Sequence, residues 1–166
     1  GVGFGDGFAT IPHPADSRQG YAMSPGGSLV RYDLRTGSRK SIRPPAPEET
    51  ELRFHWNSAI ALDPARSDTV YYGSQFVHRS ENRGEAWTVI SPDLTTNNPE
   101  WQKQDESGGL TIDVTAAENH CTIITIAPSS IASGVIWAGT DDGRVQITRD
   151  GGESWVSVEP NIPDLP

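Results

Sequence analysis

Short apolar runs of five to seven residues recur along the chain, cut apart by clusters of Gly, Pro, Asp and Ser. Eight of them fall into two sets: 58–62, 69–73, 75–80 and 86–91, then 121–127, 134–139, 143–148 and 154–158. They are rich in Val, Ile, Thr, Tyr and Trp and bounded by turn residues, which predicts strands. The run "CTIITIA" (121–127) is almost wholly apolar, so burial on both faces is expected of it. "RVQITR" alternates, as a strand with one wet face does. No segment carries a sustained helical period.

The two sets repeat each other. "SENRGEAWTVISP" at 80–92 returns as "TRDGGESWVSVEP" at 148–160. Upstream, Gly73 pairs with Gly139 and Pro64 with Pro128, so the offset grows from 64 to 66 to 68 through two loop insertions. A worn third copy opens the chain at 8–44, with Gly37 where Gly84 stands, Asp33 and Arg35 for Ser80 and Asn82, and Lys40 for Trp87. Four strands per ~40 residues, graded from buried to exposed, is the pattern of a propeller blade. The expected fold is therefore all-β: about three blades of four antiparallel strands, a partial β-propeller in a single domain over 1–166. The blades fall near 8–44, 54–92 and 120–160, with a long inter-blade loop at 93–119.

The repeated turn resembles the Asp-box of the bacterial neuraminidase (BNR) repeat, Ser/Thr-x-Asp-x-Gly-x-x-Trp. Thr148, Asp150, Gly152 and Trp155 match every defined position; Ser80, Asn82, Gly84 and Trp87 match with Asn for Asp. The resemblance implies a propeller of the sortilin-like or glycosyl hydrolase-like secreted bacterial kind, hence an extracytoplasmic protein, and supplies no catalytic residues. It also places the turn between third and fourth strands, away from the usual binding face. Turn chemistry favours a structural fastening over a ligand or calcium contact. Asp150 and Asn82 can accept N–H groups two residues on, Gly152 and Gly84 can take positive φ, and each tryptophan can bury between neighbouring sheets.

Composition narrows the function classes. The formal charge of −9 and the lack of a basic face exclude a nucleic-acid role. No apolar run approaches the ~18 residues of a membrane span. Cys121 is the only cysteine, so no internal disulfide and no cysteine zinc site exist; it reads as a buried, inert thiol. The sequence has no signal peptide and starts without Met, which reads as a mature product or an excised piece. Three blades also leave two radial faces open, each expected to be apolar. Either this is part of a larger propeller or copies associate to close one.

The long loops gather on one rim, and the repeat register aligns the residues entering each innermost strand: Asp6, then His55-Trp56-Asn57, then Glu118-Asn119-His120. Trp101, Asp113, Asp141 and Asp142 can join them. An aromatic ring beside amides and carboxylates suits glycan or peptide recognition, so His55, Trp56, Asn57, Trp101 and His120 are the candidate ligand contacts. Plainer roles exist for several. Trp56 can plug the core, Trp101 can pin its own loop, Asp141-Asp142-Gly143 can be a tight hairpin turn, and His13 and His78 read as solvent-facing. His55 and His120 lack a third metal ligand. A non-catalytic module binding glycan or protein through this rim is the leading expectation, with no cofactor. The alternative is a BNR-type glycoside hydrolase, or part of one, whose carboxylate candidates are Asp113, Glu118 and Asp6.

Overall fold

Every strand pair among the described residues is antiparallel. The structure is a computed structural model and describes residues 1–3, 5–106, 117 and 119–162. The first sheet holds β1 (Thr10–His13), β2 (Asp16–Ser24), β3 (Ser28–Asp33) and β4 (Ser38–Ser41). The second holds β5 (Ile60–Leu62), β6 (Val70–Gly73), β7 (Val77–Ser80) and β8 (Thr88–Val89). The third holds β9 (Ile123–Pro128), β10 (Ile136–Thr140), β11 (Val145–Thr148) and β12 (Val156–Ser157). Each sheet is a meander in chain order. Three short 3-10 turns are the only helical pieces among the described residues. The fold is all-β, a partial β-propeller of three blades.

Alternation along the strands builds two seams. Tyr21, Met23, Leu29 and Ile42 of the first blade meet Val70 and Tyr72 of the second, with Phe54 and Trp87 alongside. Tyr71, Val77 and Ile90 of the second meet Ile123, Ile126, Ile136 and Ala138 of the third, with Trp155 against them. A sheet that packs on both faces thus sends even and odd residues into different cores.

The third blade is packed on one face only, and this corrects the reading of "CTIITIA". Ile123 and Ile126 are buried while Ile124, Thr125 and Ala127 are exposed. Among the described residues no sheet lies against the face of β9 turned away from the second blade. The first blade's free face is mixed and not wholly apolar as expected: Ala22, Val30 and Tyr32 lie on it, but its exposed members are Thr10, Pro12, Ser28, Arg39 and Ser41.

Two register assignments also shift. Val70 stands opposite Leu62 and Ile136 opposite Pro128, so Leu62, not Pro64, is the partner of Pro128. One insertion, in the β10–β11 turn, then accounts for the change in spacing down to Thr148. In the worn copy, Ile42 bonds Leu29 as Ile90 bonds Val77, which puts Arg39, not Lys40, at the place of Trp87. The β3–β4 connection is an ordinary hairpin loop, closed by Asp33 accepting the Arg35 N–H at 2.9 Å.

Both histidines expected in solvent are buried. His13 closes β1, 6% exposed, with Nε2 3.1 Å from Asp68 Oδ1. His78 is 1% exposed because its side of β7 faces the first seam, where Phe54 and Trp87 enclose it. Its Nε2 lies 2.8 Å from the Ser74 hydroxyl. Burial disfavours the imidazolium and pushes its pKa down to about 4. The unfolded chain then binds the extra proton once pH falls below the ordinary histidine value, so stability declines as pH drops towards 4, by roughly 3 kcal/mol in full. Urea unfolding from about pH 7 to about pH 5, above the range where carboxylates titrate, is expected to show about 2 kcal/mol of this loss and His78→Gln to flatten it. An equal slope in the variant would assign the effect elsewhere.

Candidate functional site

The repeated turn is wired the same way in both copies. The Ser80 hydroxyl accepts the Gly84 N–H at 2.7 Å and donates to Asn82 Oδ1 at 3.0 Å. Thr148 does the same with Gly152 at 2.9 Å and Asp150 at 2.7 Å. Asn82 and Asp150 then accept the N–H of Ala86 and Ser154, each at 2.9 Å. Their acceptor thus reaches four residues on, not two, because the hydroxyl at the head of the turn takes up the closer amide. Ser154, through its hydroxyl and N–H, and Thr148 hold the Asp150 carboxyl well below the usual carboxylate range. Both of its oxygens are engaged by the turn itself.

The turn then grips the blade before it. Trp87 Nε1 donates to the Ile42 carbonyl and Trp155 Nε1 to the Ile90 carbonyl, each at 2.8 Å. A return bond comes from Arg31 to the Arg83 carbonyl at 2.9 Å and from Arg79 to the Gly151 carbonyl at 3.3 Å. Gly84 and Gly152 have φ of 85° and 104°. A Cβ on Gly84 would lie 2.6 Å from Ile42 Cδ1, and one on Gly152 2.5 Å from the Ile90 carbonyl oxygen. Glycine is required here by both backbone and contact.

At the other end of the strands lies the rim. A meander puts the β6–β7 and β10–β11 turns there, with the segments leading into β5 and β9. Buried Gln75 organises it: its backbone carbonyl accepts Leu94 N–H at 3.1 Å and its amide side chain binds Arg53 N–H at 2.9 Å and the Glu51 carbonyl at 2.8 Å. Arg53 pairs with Asp93 at 2.8 Å and donates to the Cys121 carbonyl at 3.3 Å. Asp141 and Asp142 do more than turn a hairpin. Asp141 takes the Thr122 N–H at 2.9 Å and hydroxyl at 2.7 Å. Asp142 takes the Thr96 N–H at 2.7 Å and hydroxyl at 2.8 Å. Burial pushes the Asp142 carboxyl up, but the Thr140 and Thr96 donors outweigh it and hold it below its ordinary value.

On this frame the expected contacts form two groups. Trp101, 49% exposed, meets His120 edge-on at 5.6 Å between centroids. Trp56 is half-buried and meets Phe8 edge-on at 6.3 Å. The groups are stitched together where Asn119 Nδ2 donates to the Phe54 carbonyl at 2.9 Å. His55 Nδ1 accepts the Asn57 N–H at 3.0 Å, so one ring nitrogen serves the local turn. Asn57 is exposed and lines a groove of about 190 Å³ beside Ala9, Ile60 and Ile124. Asp6 is exposed in the segment leading to Phe8. Asp113 and Glu118 lie outside the described residues.

Sequence reasoning missed Arg53, Gln75, Asp93 and Thr96, the braces of the rim. The only sequence signal for them was their place in the loops of the repeat. Cys121 is fully buried with φ 58°, its sulfur 3.7 Å from the Thr96 hydroxyl, and burial pushes the thiol pKa up, which suppresses the thiolate. Among the described residues no three His, Cys, Asp or Glu side chains converge as metal ligands. A roomier cleft of about 510 Å³ opens at the outer end of the first seam, away from the rim. Its charges are spent on bracing: Arg31 and Lys40 both reach Glu85, at 2.7 and 2.5 Å.

No protein-family model matches the chain, and no curated protein matches it. Solved structures do. The extracellular domain of a hybrid two-component system from B. thetaiotaomicron aligns with a TM-score of 0.57 at 16% identity, over 91% of this chain and 16% of that one. The GH74 xyloglucanase from Xanthomonas campestris aligns at 0.53 and 12% identity, over 89% and 21%. YCF48 bound to D1 peptide aligns at 0.52 and 13% identity, over 90% and 42%. At these identities the likeness establishes the propeller fold, and the chain spans less than half of each of those chains. No helix among the described residues is long and apolar enough to cross a membrane.

Gly84 and Gly37 separate backbone from contact at these turns. Both have positive φ, but a Cβ on Gly37 would meet nothing within 4 Å. Gly37→Ala is expected to lose about 1 kcal/mol for the left-handed backbone alone. Gly84→Ala adds the collision with Ile42 and is expected to lose at least about twice that. Denaturant midpoints check both, and equal losses would mean the turn does not grip its neighbour.

Proposed function

We propose that the chain is a non-catalytic, extracytoplasmic propeller module of Asp-box type that binds glycan or protein through its rim. The carrying observation is the half-exposed Trp101 set edge-on to His120, on a loop pinned by Thr96 to Asp142 and by Asn98 capping Glu100 at 3.0 Å. A large apolar ring held in place at low entropic cost, beside an imidazole, is what recognition of a sugar face or a peptide side chain uses. Asn57 and Trp56 form a second group, tied to the first where Asn119 bonds the Phe54 carbonyl. The wiring of the two repeated turns supports the Asp-box reading, since each polar position defined by the motif has a bonded role. One propeller with a similar fold is solved with a peptide and another is a xyloglucanase, which supports testing both ligand classes. The secreted location is supported by the extracellular neighbour.

Glycan-array and peptide-panel binding are expected to give a ligand without turnover. Trp101→Ala and His120→Ala are each expected to weaken it about tenfold or more, ~1.4 kcal/mol, with unchanged unfolding midpoints. Polysaccharide cleavage lost in Asp113→Ala or Glu118→Ala would replace the module with a hydrolase.

A further inference from the structure

The two seams share a register that shows what a blade presents to its successor. Tyr21 stands in one cross-strand row with Arg31 and Lys40, Tyr71 with Arg79 and Thr88, and Trp137 with Ile147 and Val156. Tyr21 and Tyr71 are 0% and 2% exposed because the next blade covers them. Trp137, at the same place on the third blade, is 42% exposed, and Val156 beside it is 55% exposed. Thr125, Ala127, Gly139 and Val145 complete that face, and none of them is charged. The acceptor for a clasp is also present. Val158 bonds Val145 as Ile42 bonds Leu29 and Ile90 bonds Val77, so its carbonyl occupies the position of the two that receive a tryptophan. It already accepts the Asn161 N–H at 2.9 Å, which leaves one lone pair.

We propose that the Trp137 face of the third blade is a docking surface for one further four-stranded blade carrying the same glycine–tryptophan turn. That partner's indole N–H donates to the Val158 carbonyl, its turn glycine seats against Val158, and its second strand lies across Trp137. The partner is not a second copy of this chain. A copy can bring two uncovered blade faces, and neither offers a free clasp: its first blade has Arg39 for the tryptophan and Thr36 for the glycine, and its own Trp137 face belongs to a blade whose turn is spent on Ile90. The second and third blades own the turn, but their turns are already engaged within the chain. The inference is independent of the rim reading.

The test extends the protein by one blade, appending a second copy of residues 120–162 after Ile162 with its own Trp137 replaced by Phe. Fluorotryptophan NMR, with the Trp137 signal assigned from Trp137→Phe in the parent, reports that residue alone. The original Trp137 is expected to become as protected from solvent and from acrylamide as Trp87 and Trp155. Replacing the appended tryptophan clasp by Arg, as in the first blade, is expected to restore its exposure. An appended blade that stays unfolded by hydrogen exchange, or folds and leaves Trp137 exposed, overturns the proposal. So does a parent chain that forms a dimer at micromolar concentration which Trp137→Asp dissolves.

Discussion

The hold of each blade on the one before it turns on one half-buried donor, the tryptophan N–H given to the carbonyl that follows the preceding blade's last strand. Sheets stacked face to face by apolar contact alone can slide, because hydrophobic burial has no direction. A fixed bond at one end of the seam sets both distance and rotation. The glycine beneath the turn permits that approach, and the hydroxyl at its head holds the glycine amide in place. The arginine of the earlier blade returns a bond to the turn of the later one, so each seam is closed from both sides.

Because the clasps sit at one end of the strands, the other end is free to carry loops. The rim is stiffened by a different chemistry, side-chain bonds that run from Gln75 through Arg53 and Asp93 to Thr95, and from the adjoining Thr96 to Asp142. These groups are half or fully desolvated, and each has a partner, as buried polar networks require. The network positions Trp101 and His120 without using them.

How much of this was legible depended on periodicity. Two clear copies of a turn, each with four runs of strand composition, carried the all-β blades and the fastening role of Trp87 and Trp155. Burial was harder to read, because it depends on what covers a strand. Ile124 looks like Ile123 in sequence but lines the open groove beside Asn57 and Ile60 instead of the second seam; His78 looks like a surface residue and is buried because a loop aromatic, Phe54, folds over it. Register failed by one residue in the worn copy, where Gly37 matched a motif position that backbone bonding assigns to Thr36. The rim's candidates were drawn from the repeat register, but its braces had no such guide, since a glutamine or threonine in a loop has no period to reveal its partner.

The most direct test of the clasp is hydrogen exchange at the five indole N–H groups, followed by NMR. The Trp87 and Trp155 signals are predicted to exchange only on opening of the seams, slowly and together with the core amides, while Trp56, Trp101 and Trp137 exchange at the rates of accessible indoles. Rapid exchange at Trp87 and Trp155 in a protein whose strands remain protected would show that the blades are held by something else.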